Sequence, residues 1–410
     1  MVRILLISFF TVFSCGRVQT HMDNGHHYDD HGIKRYESYH HEIAKELEKE
    51  TFIAKVRPSE PVKPNIKPSL RKYPDGPVYK TGDGRPYQVV LLSFDSPHRK
   101  QMWDWVLKFA SEENIKFTFF VSGVYMLEHK NRGLYRSPDG RRGNSEIGFS
   151  RNKNEIVENI YYITRAYREG HEIASHANGH FSGKSFSLSQ WNREINQFSD
   201  LLRNVKKNNR LDVEPGAEWE HIITNMKGFR APHLAVNGHL YRTLAKHNYR
   251  YDASRYRVAP YWPQKYGNIW FFPLGVVPSD IIRKKRKYHK HVIAMDHNFY
   301  MYYKNVRLTA ETKTRIINDV FMTYLEYFNT NYYGARAPIS IGHHFVNWHD
   351  WAYWEVMKLF AKTVCSKPEV ICTTHIKLLE LIEKMPPGEY PQFCRGTFPK
   401  LPRPVVESNP

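Results

Sequence analysis

The sequence predicts an α/β fold in which parallel strands alternate with helices and close into a barrel. Apolar runs of strand length, such as Val89–Phe94, are typical of strands buried on both faces. Segments with the apolar spacing of a helix follow these runs, and the two patterns alternate as far as about Ile382. In a barrel of this kind, the loops that follow the strands carry the chemistry.

The first predicted strand leads into a regular series of elements. In chain order these are a helix at Met102–Glu112, a strand at Phe117–Val121, a polar insertion rich in Gly and Arg near residues 134–153, a helix at Ile156–Glu169 and a strand at Glu172–Ala174. Near the end of the domain, the β-branched run Val370–Thr374 predicts another strand.

The chain has 410 residues, which is enough for one large α/β domain or two smaller ones. Its formal net charge of +19 at pH 7 favours anionic partners. No recognition helix, zinc-finger spacing or RNA-binding signature is present, so no nucleic-acid partner is expected. An anionic cell envelope or an acidic polysaccharide fits the charge better. Gly-rich phosphate loops are also missing from the sequence, which argues against a nucleotide enzyme.

The N-terminal residues predict export. Met1–Arg3 is a short basic start, and the apolar run Ile4–Phe13 is too short to span a bilayer as a stable helix. Residues 1–19 are therefore interpreted as a signal or lipoprotein signal peptide, with no transmembrane span in the mature chain. Val12–Cys15 resembles a bacterial lipobox, so a lipid anchor at Cys15 and ordinary cleavage both stay open. The expected location is periplasmic, envelope-attached or extracellular.

Composition divides the rest of the chain into three parts. Residues 20–85 are polar, rich in histidine and interrupted by prolines, which indicates an extended N-terminal tether with one short helix near Tyr39–Phe52. Residues 86–385 form the predicted α/β domain, and residues 386–410 form a C-terminal tail. Within the domain, Cys365 and Cys372 flank a turn, where a disulfide would agree with export. Two buried free thiols are the alternative.

Two histidines four positions apart, His176 and His180, lie in a loop of small residues after the strand Glu172–Ala174. Such a loop can direct both imidazoles at one point, so the pair predicts ligands for a divalent metal. Ordinary surface or core histidines are the alternative in a chain with 22 of them. The segment His171–His176 also resembles the zinc-peptidase pattern His-Glu-x-x-His, but it has one residue too many and a strand-like sequence.

Other strand ends also carry polar residues. In chain order these are Asp95 with Ser96, Arg230 and His233 within Gly228–His233, Asp252 within Tyr251–Ser254, and His343 with His344 at the end of Pro338–His344. Each of them alone would be interpreted as structural. Their combination with the histidine pair in this order is far more specific.

This series resembles the motifs of the polysaccharide deacetylase family, also called the NodB-homology family, over about residues 87–385. The resemblance implies a distorted (β/α) barrel. It also implies a hydrolase that acts on the C–N bonds of acetamides with the help of a divalent metal, zinc before cobalt or nickel. The implied substrate is an N-acetylated polysaccharide, similar to peptidoglycan or chitin, from whose N-acetylglucosamine units acetate is released.

The resemblance assigns roles to several of these residues. His176 and His180 match the metal ligands, and Asp95 matches the base that takes a proton from the attacking water. Arg230 matches the arginine that keeps this carboxylate ionised through a charge-assisted pair. Asp252 matches a carboxylate that orients the polar network.

The same resemblance implies a histidine that protonates the departing amine as a general acid. His343 and His344 both fall at that place in the last motif. Alignment on the following Trp348 favours His344, but the sequence does not decide between them.

Ser96 departs from the family pattern, which has an aspartate there as the third metal ligand. Three outcomes stay open: a substitute such as water, His98 or Asp296 completes the site, the metal binds together with substrate, or the protein is a carbohydrate-binding pseudo-deacetylase. A pure binding protein would need no general base. His233 stands where many relatives have tyrosine, and its backbone N–H can still bind an oxyanion. His233, Asp296 and Trp348 are the expected substrate contacts.

Overall fold

The structure of the protein is a computed structural model that describes residues 79–279 and 291–403. The predicted signal peptide with Cys15, most of the predicted tether and the helix expected near Tyr39–Phe52 lie outside the described residues. None of the described helices is both long enough and apolar enough to cross a bilayer.

Twelve strands are present in the described residues: β1 Gln88–Asp95, β2 Thr118–Val121, β3 Glu172–Ser175, β4 Gly228–Phe229, β5 Tyr251–Asp252, β6 Tyr256–Val258, β7 Gln264–Tyr266, β8 Ile269–Phe271, β9 Leu274–Pro278, β10 His291–Ile293, β11 Ile339–His344 and β12 Val370–Thr373. The α-helices of the same residues are α1 Lys100–Glu113, α2 Lys153–Arg168, α3 Leu188–Arg203, α4 Val205–Asn209, α5 Trp219–Thr224, α6 Gly238–Lys246, α7 Asp296–Tyr303, α8 Ala310–Thr330, α9 Ala352–Cys365, α10 His375–Lys384 and α11 Glu389–Arg395. The elements expected around the first three strands and at β12 are thus present.

The main sheet has the strand order β11-β1-β2-β3-β4-β5-β8-β7, and β12 pairs with the first half of β1. All its pairs are parallel except that between β7 and β8. A second sheet, β10-β9-β6, continues from it, because β8 leads almost directly into β9. A parallel bridge between Met295 and Gly342 connects the end of β10 back to β11. The predicted distorted barrel is confirmed, and its strands form two sheets and not one continuous sheet.

The face that carries the polar residues follows from the alternation of side chains along β1 and β11. Val90, Leu92 and Phe94 belong to the large core beneath the helices, so Asp95 projects from the opposite face of the sheet. The register places Phe94 beside His343 and Asp95 beside His344. His344 therefore shares a face with Asp95, whereas His343 shares a face with Phe94.

The polar insertion between β2 and α2 is fastened to the loop that follows β3. Tyr135 is fully buried, and its hydroxyl donates to Glu194 on α3 at 3.0 Å. Farther along the insertion, the Glu146 N–H donates to the Gly179 carbonyl at 2.9 Å. These contacts hold the insertion against the loop that contains His176 and His180.

The segment predicted as a C-terminal tail includes α11, whose Phe393 stacks on Trp262 with ring centroids 6.0 Å apart.

A disulfide joins Cys365 at the end of α9 to Cys372 in β12, which confirms the paired alternative. The two residues are separated by seven positions, so the bond closes a short loop. We expect the double variant Cys365→Ala/Cys372→Ala to lower the free energy of unfolding by about 2–3 kcal/mol, because the unfolded chain regains the entropy of that loop. Urea unfolding of both proteins measures the difference, and an unchanged midpoint would contradict it.

Candidate active site

A buried ion pair lies at the centre of the site. Arg230, which directly follows β4, donates from Nη1 to Asp95 Oδ1 at 2.8 Å and to Ser93 Oγ at 2.9 Å. Neither Arg230 nor Asp95 has more than 3% of its side chain exposed. The guanidinium also lies over the Phe120 ring, 4.1 Å from its centroid, and Arg230 Nε donates to the Ala253 carbonyl. These contacts fix the position of the arginine and of its charge-assisted bond to Asp95.

Beside Asp95, His344 is paired with a second carboxylate. His344 Nδ1 lies 2.7 Å from Asp296 Oδ1, and the His344 N–H donates to Asp296 Oδ2 at 2.8 Å. Burial alone would lower the pKa of His344, but the charge and hydrogen bond of Asp296 raise it above its usual value. Asp95 adds to this increase and Arg230 opposes it. About one-fifth of the His344 side chain is exposed, so the protonated imidazole can reach a substrate.

The neighbouring histidine, His343, points away from the site. It is buried, and its Nε2 lies 2.9 Å from the Tyr324 hydroxyl on α8. Burial lowers the pKa of His343 to about 4. Of the two histidines that the sequence left open, the structure places only His344 beside Asp95.

The two histidines after β3 lie close together, with ring centroids 5.2 Å apart. His176 Nδ1 lies 2.8 Å from the Arg230 carbonyl, and the buried Nε2 has no hydrogen-bond partner among the described residues. Burial lowers the pKa of His176 to about 4 and that of His180 to about 2, so both imidazoles are neutral near pH 7. Neutral imidazole is the form that binds metal ions.

A third histidine and a carboxylate lie next to His180. His233 Nε2 is 2.8 Å from Glu146 Oε2, and His180 Nδ1 is 3.9 Å from the same oxygen. Within residues 79–279 and 291–403, this is the one group of three or more metal-binding side chains whose ligand atoms lie within 4.8 Å of one another. His233 has φ of 55°, which turns its ring toward this group in the short 3₁₀ turn after Arg230.

A family model described as "Polysaccharide deacetylase" matches residues 82–251, which contain Asp95, both histidines after β3 and Arg230. The resemblance to the polysaccharide deacetylase family is confirmed. No curated protein sequence matches the chain.

Several solved structures are similar to this chain. A candidate polysaccharide deacetylase from Mycobacterium smegmatis has 14% sequence identity and a TM-score of 0.44, over 75% of this chain and 94% of that chain. The peptidoglycan deacetylase of Bacillus subtilis has 12% identity and a TM-score of 0.35, over 73% of this chain and 93% of that chain. A pseudoenzyme of Bacillus anthracis has 9% identity and a TM-score of 0.35, over 73% of this chain and 70% of that chain.

Ser96, the departure from the deacetylase pattern, is engaged with its neighbours. Its Oγ lies 2.8 Å from Ser122 Oγ, and its carbonyl lies 2.8 Å from His98 Nδ1. The His98 ring also stacks on Tyr125, with centroids 4.2 Å apart. Asp296 uses both carboxylate oxygens for His344. Neither substitute suggested by the sequence, His98 or Asp296, belongs to the cluster around His180.

Asp252 supports the candidate site from a distance. It is fully buried, and burial raises its pKa to about 6. Its Oδ1 is bonded to the Ser254 hydroxyl, and Ser254 Oγ accepts from the Ala231 N–H at 2.7 Å. Asp252 thus orients the turn beside Arg230 through Ser254. It has no direct contact with the guanidinium.

Aromatic rings border the site next to His344. The expected substrate contact Trp348 lies 5.8 Å from the His344 ring and stacks on Tyr300 at 4.4 Å, both measured between centroids. His297 lies 5.7 Å from the same indole.

The sequence did not predict two features of this site, the orientation of His344 and the position of Glu146. The alternation of Ile339, Ile341 and His343 on one face could have revealed the orientation of His344, whereas nothing in the sequence marked Glu146.

Proposed function

We propose that this protein hydrolyses N-acetyl groups of N-acetylglucosamine units in a polysaccharide similar to peptidoglycan or chitin, and releases acetate. The observation that carries this proposal is the buried Arg230–Asp95 pair in register with His344 on the adjacent strand. It brings a carboxylate and a protonatable imidazole to one face of the sheet. The match to the polysaccharide deacetylase family supports the substrate class.

The two groups divide the proton transfers between them. Asp95 accepts a proton from the water that attacks the acetamide carbonyl, and the hydrogen bond from Arg230 fixes the orientation of the carboxylate. When the C–N bond breaks, the imidazolium of His344 donates its proton to the departing nitrogen. Asp296 fixes the imidazole through Nδ1, so that Nε2 is directed at the leaving group. The products are acetate and a free sugar amine.

The residues present also fit a divalent cation, of which zinc, cobalt and nickel are the candidates. If His176 donates its Nδ1 proton to the Arg230 carbonyl, the lone pair on the buried Nε2 is available to a ligand. His180 lies next to it. A cation held by these histidines would supply Lewis-acid chemistry to the acetamide carbonyl and to the attacking water.

We also propose that the protein is exported and acts at the cell envelope or outside the cell. The apolar N-terminal run and the net charge of +19 support this, since an anionic envelope polymer attracts a cationic enzyme.

Acetate release from N-acetylglucosamine oligomers and from peptidoglycan fragments tests the proposed function. The full chain is incubated with each substrate after metal removal and after addition of zinc, cobalt or nickel. We expect release with at least one metal and none from the chelated protein. Binding of the oligomers without acetate release under any of these metals would instead support the carbohydrate-binding pseudo-deacetylase.

The Asp296–His344 pair predicts the pH dependence of the reaction. Since Asp296 raises the pKa of His344, the acid stays protonated, and activity stays high, until the pH rises through that increased value. In Asp296→Asn the pKa falls, so the alkaline limb of the kcat profile should move to lower pH. We expect kcat at pH 8 to fall about 10- to 100-fold. This is only part of the contribution of general acid catalysis, because the imidazole of His344 is still present.

Asp319→Asn is the matched control, because it removes a carboxylate from α8 that bonds to Tyr303. Its alkaline limb should stay where that of the unmodified protein lies. An unchanged limb in Asp296→Asn would show that His344 is not the acid.

A further inference from the structure

We infer that Glu146 and His233 bind the divalent cation together with His180, so that a carboxylate of the insertion replaces the ligand that Ser96 cannot provide. The inference deepens the proposed function, on which it rests for the role of the cation in the reaction. The binding itself can be measured without substrate. It answers the question that Ser96 raises, since the site regains one negative charge from a distant part of the chain.

The ligand atoms have the spacing of a metal site. Two ligands about 2.0–2.2 Å from a tetrahedral ion lie roughly 3.4 Å from each other. Glu146 Oε2 lies 2.8 Å from His233 Nε2 and 3.9 Å from His180 Nδ1, on either side of that value. The rings of His180 and His233 are 4.6 Å apart between centroids, so small side-chain rotations bring all three atoms onto one ion.

The backbone holds the three residues in place before any ion binds. The Glu146 N–H donates to the Gly179 carbonyl, which adjoins His180. The turn that carries His233 is closed by the Leu234 N–H, which donates to the Ala231 carbonyl at 3.0 Å. The buried Tyr135, bonded to Glu194, anchors the insertion to α3. A site whose ligands come from three anchored loops loses little conformational entropy when it binds an ion.

A separate observation also indicates a ligand at this place. His176 is buried, and its Nε2 has no hydrogen-bond partner among the described residues. A buried polar atom without a partner costs about 1–3 kcal/mol, which an ion would offset. Its ring centroid lies 5.2 Å from that of His180, so the buried ring borders the group, although His176 lies outside the 4.8 Å spacing that joins the three ligand atoms. Glu146, His180 and His233 form the mixed imidazole and carboxylate set that zinc and cobalt prefer.

Cobalt(II) is the probe for this site, because its visible absorption reports the ligand geometry. The full metal-free chain is titrated with Co²⁺, and zinc affinity is measured by competition. His180→Ala serves as the reference without the site, which separates it from binding by the histidine-rich N-terminal residues. We expect Glu146→Gln and His233→Gln each to weaken zinc binding at least about 100-fold, since losing even a group that only orients a ligand costs 10–100-fold.

Two variants control for the loss of an exposed charge or imidazole. Glu218→Gln removes a carboxylate that pairs with Arg168, and His221→Gln removes an exposed imidazole on α5. Both should bind zinc as the unmodified chain does. In addition, Ser96→Asp should raise zinc affinity more when it is combined with Glu146→Gln than when it is made alone. In the chain with Ser96→Asp alone, Glu146 already supplies a carboxylate to the ion.

Unchanged zinc affinity in both Glu146→Gln and His233→Gln would overturn the inference and show that their contact is an ordinary surface ion pair. Acetate release distinguishes this result from failure of the proposed function. If the unmodified chain releases acetate while these variants bind zinc normally, the function stands and the inference fails. If zinc binding depends on Glu146 but no acetate is released, the inference stands and the function fails.

Discussion

Replacing Asp95 with asparagine is expected to reduce kcat for acetate release by about 10²–10⁴-fold, the usual contribution of a general base. The amide keeps the shape of the side chain and can still accept the hydrogen bond from Arg230, but it cannot take a proton from water. The substrate contacts are unaffected, so KM should change little. Steady-state kinetics with an N-acetylglucosamine oligomer measures both constants.

The variant also leaves Arg230 buried without a counter-charge, so the assay must run well below its unfolding temperature. Asp104→Asn is the matched control, because Asp104 lies on the surface of α1 and pairs with Lys100. We expect its kcat to equal that of the unmodified protein. Full turnover by a correctly folded Asp95→Asn protein would show that another group is the base.

The second large effect concerns stability. Arg230→Met keeps an unbranched apolar stem in place of the arginine but leaves Asp95 buried without its partner. We expect a loss of about 3–5 kcal/mol in the free energy of unfolding, which is typical when one member of a buried pair is removed. Urea unfolding at pH 7 measures the stability change.

The double variant Asp95→Asn/Arg230→Met separates the pair from the packing around it. With both charges removed, no buried ion is left alone, so the double variant should be more stable than Arg230→Met. If the two single effects simply add, the ion pair seen between the two side chains contributes no coupling. The double variant should still lack activity, because its base is absent.

The sequence predicted those parts of the fold and site that depend on short patterns. The apolar run of β1 identified a strand buried on both faces, and the order of Asp95, His176 and Arg230 after successive strands placed them at one edge of the sheet. The structure brings these three residues together, since parallel strands direct their carboxyl ends to the same side. Alternation along β11 would also have distinguished His344 from His343.

Other features depend on contacts that no local pattern records. The strands β6 and β10 have three residues each, too few for a period to be recognised, so the second sheet was not predicted. Glu146 lies in a polar insertion, and only the backbone contact with Gly179 places it beside His180. Asp296 was expected as a metal ligand or substrate contact. Its pairing with His344 follows from the packing of α7 against β11.

The position of β1 between β11 and β2 affects how the molecule folds. Asp95 and His344 are neighbours in the sheet although they come from opposite ends of the described chain. Contacts this distant in sequence form slowly, because a long loop must close before they are made. We therefore expect the catalytic pair to assemble among the last steps of folding, after the last parallel strand has docked. Activity would then report a completely folded chain, because a partly folded chain would lack the proposed acid and base at one site.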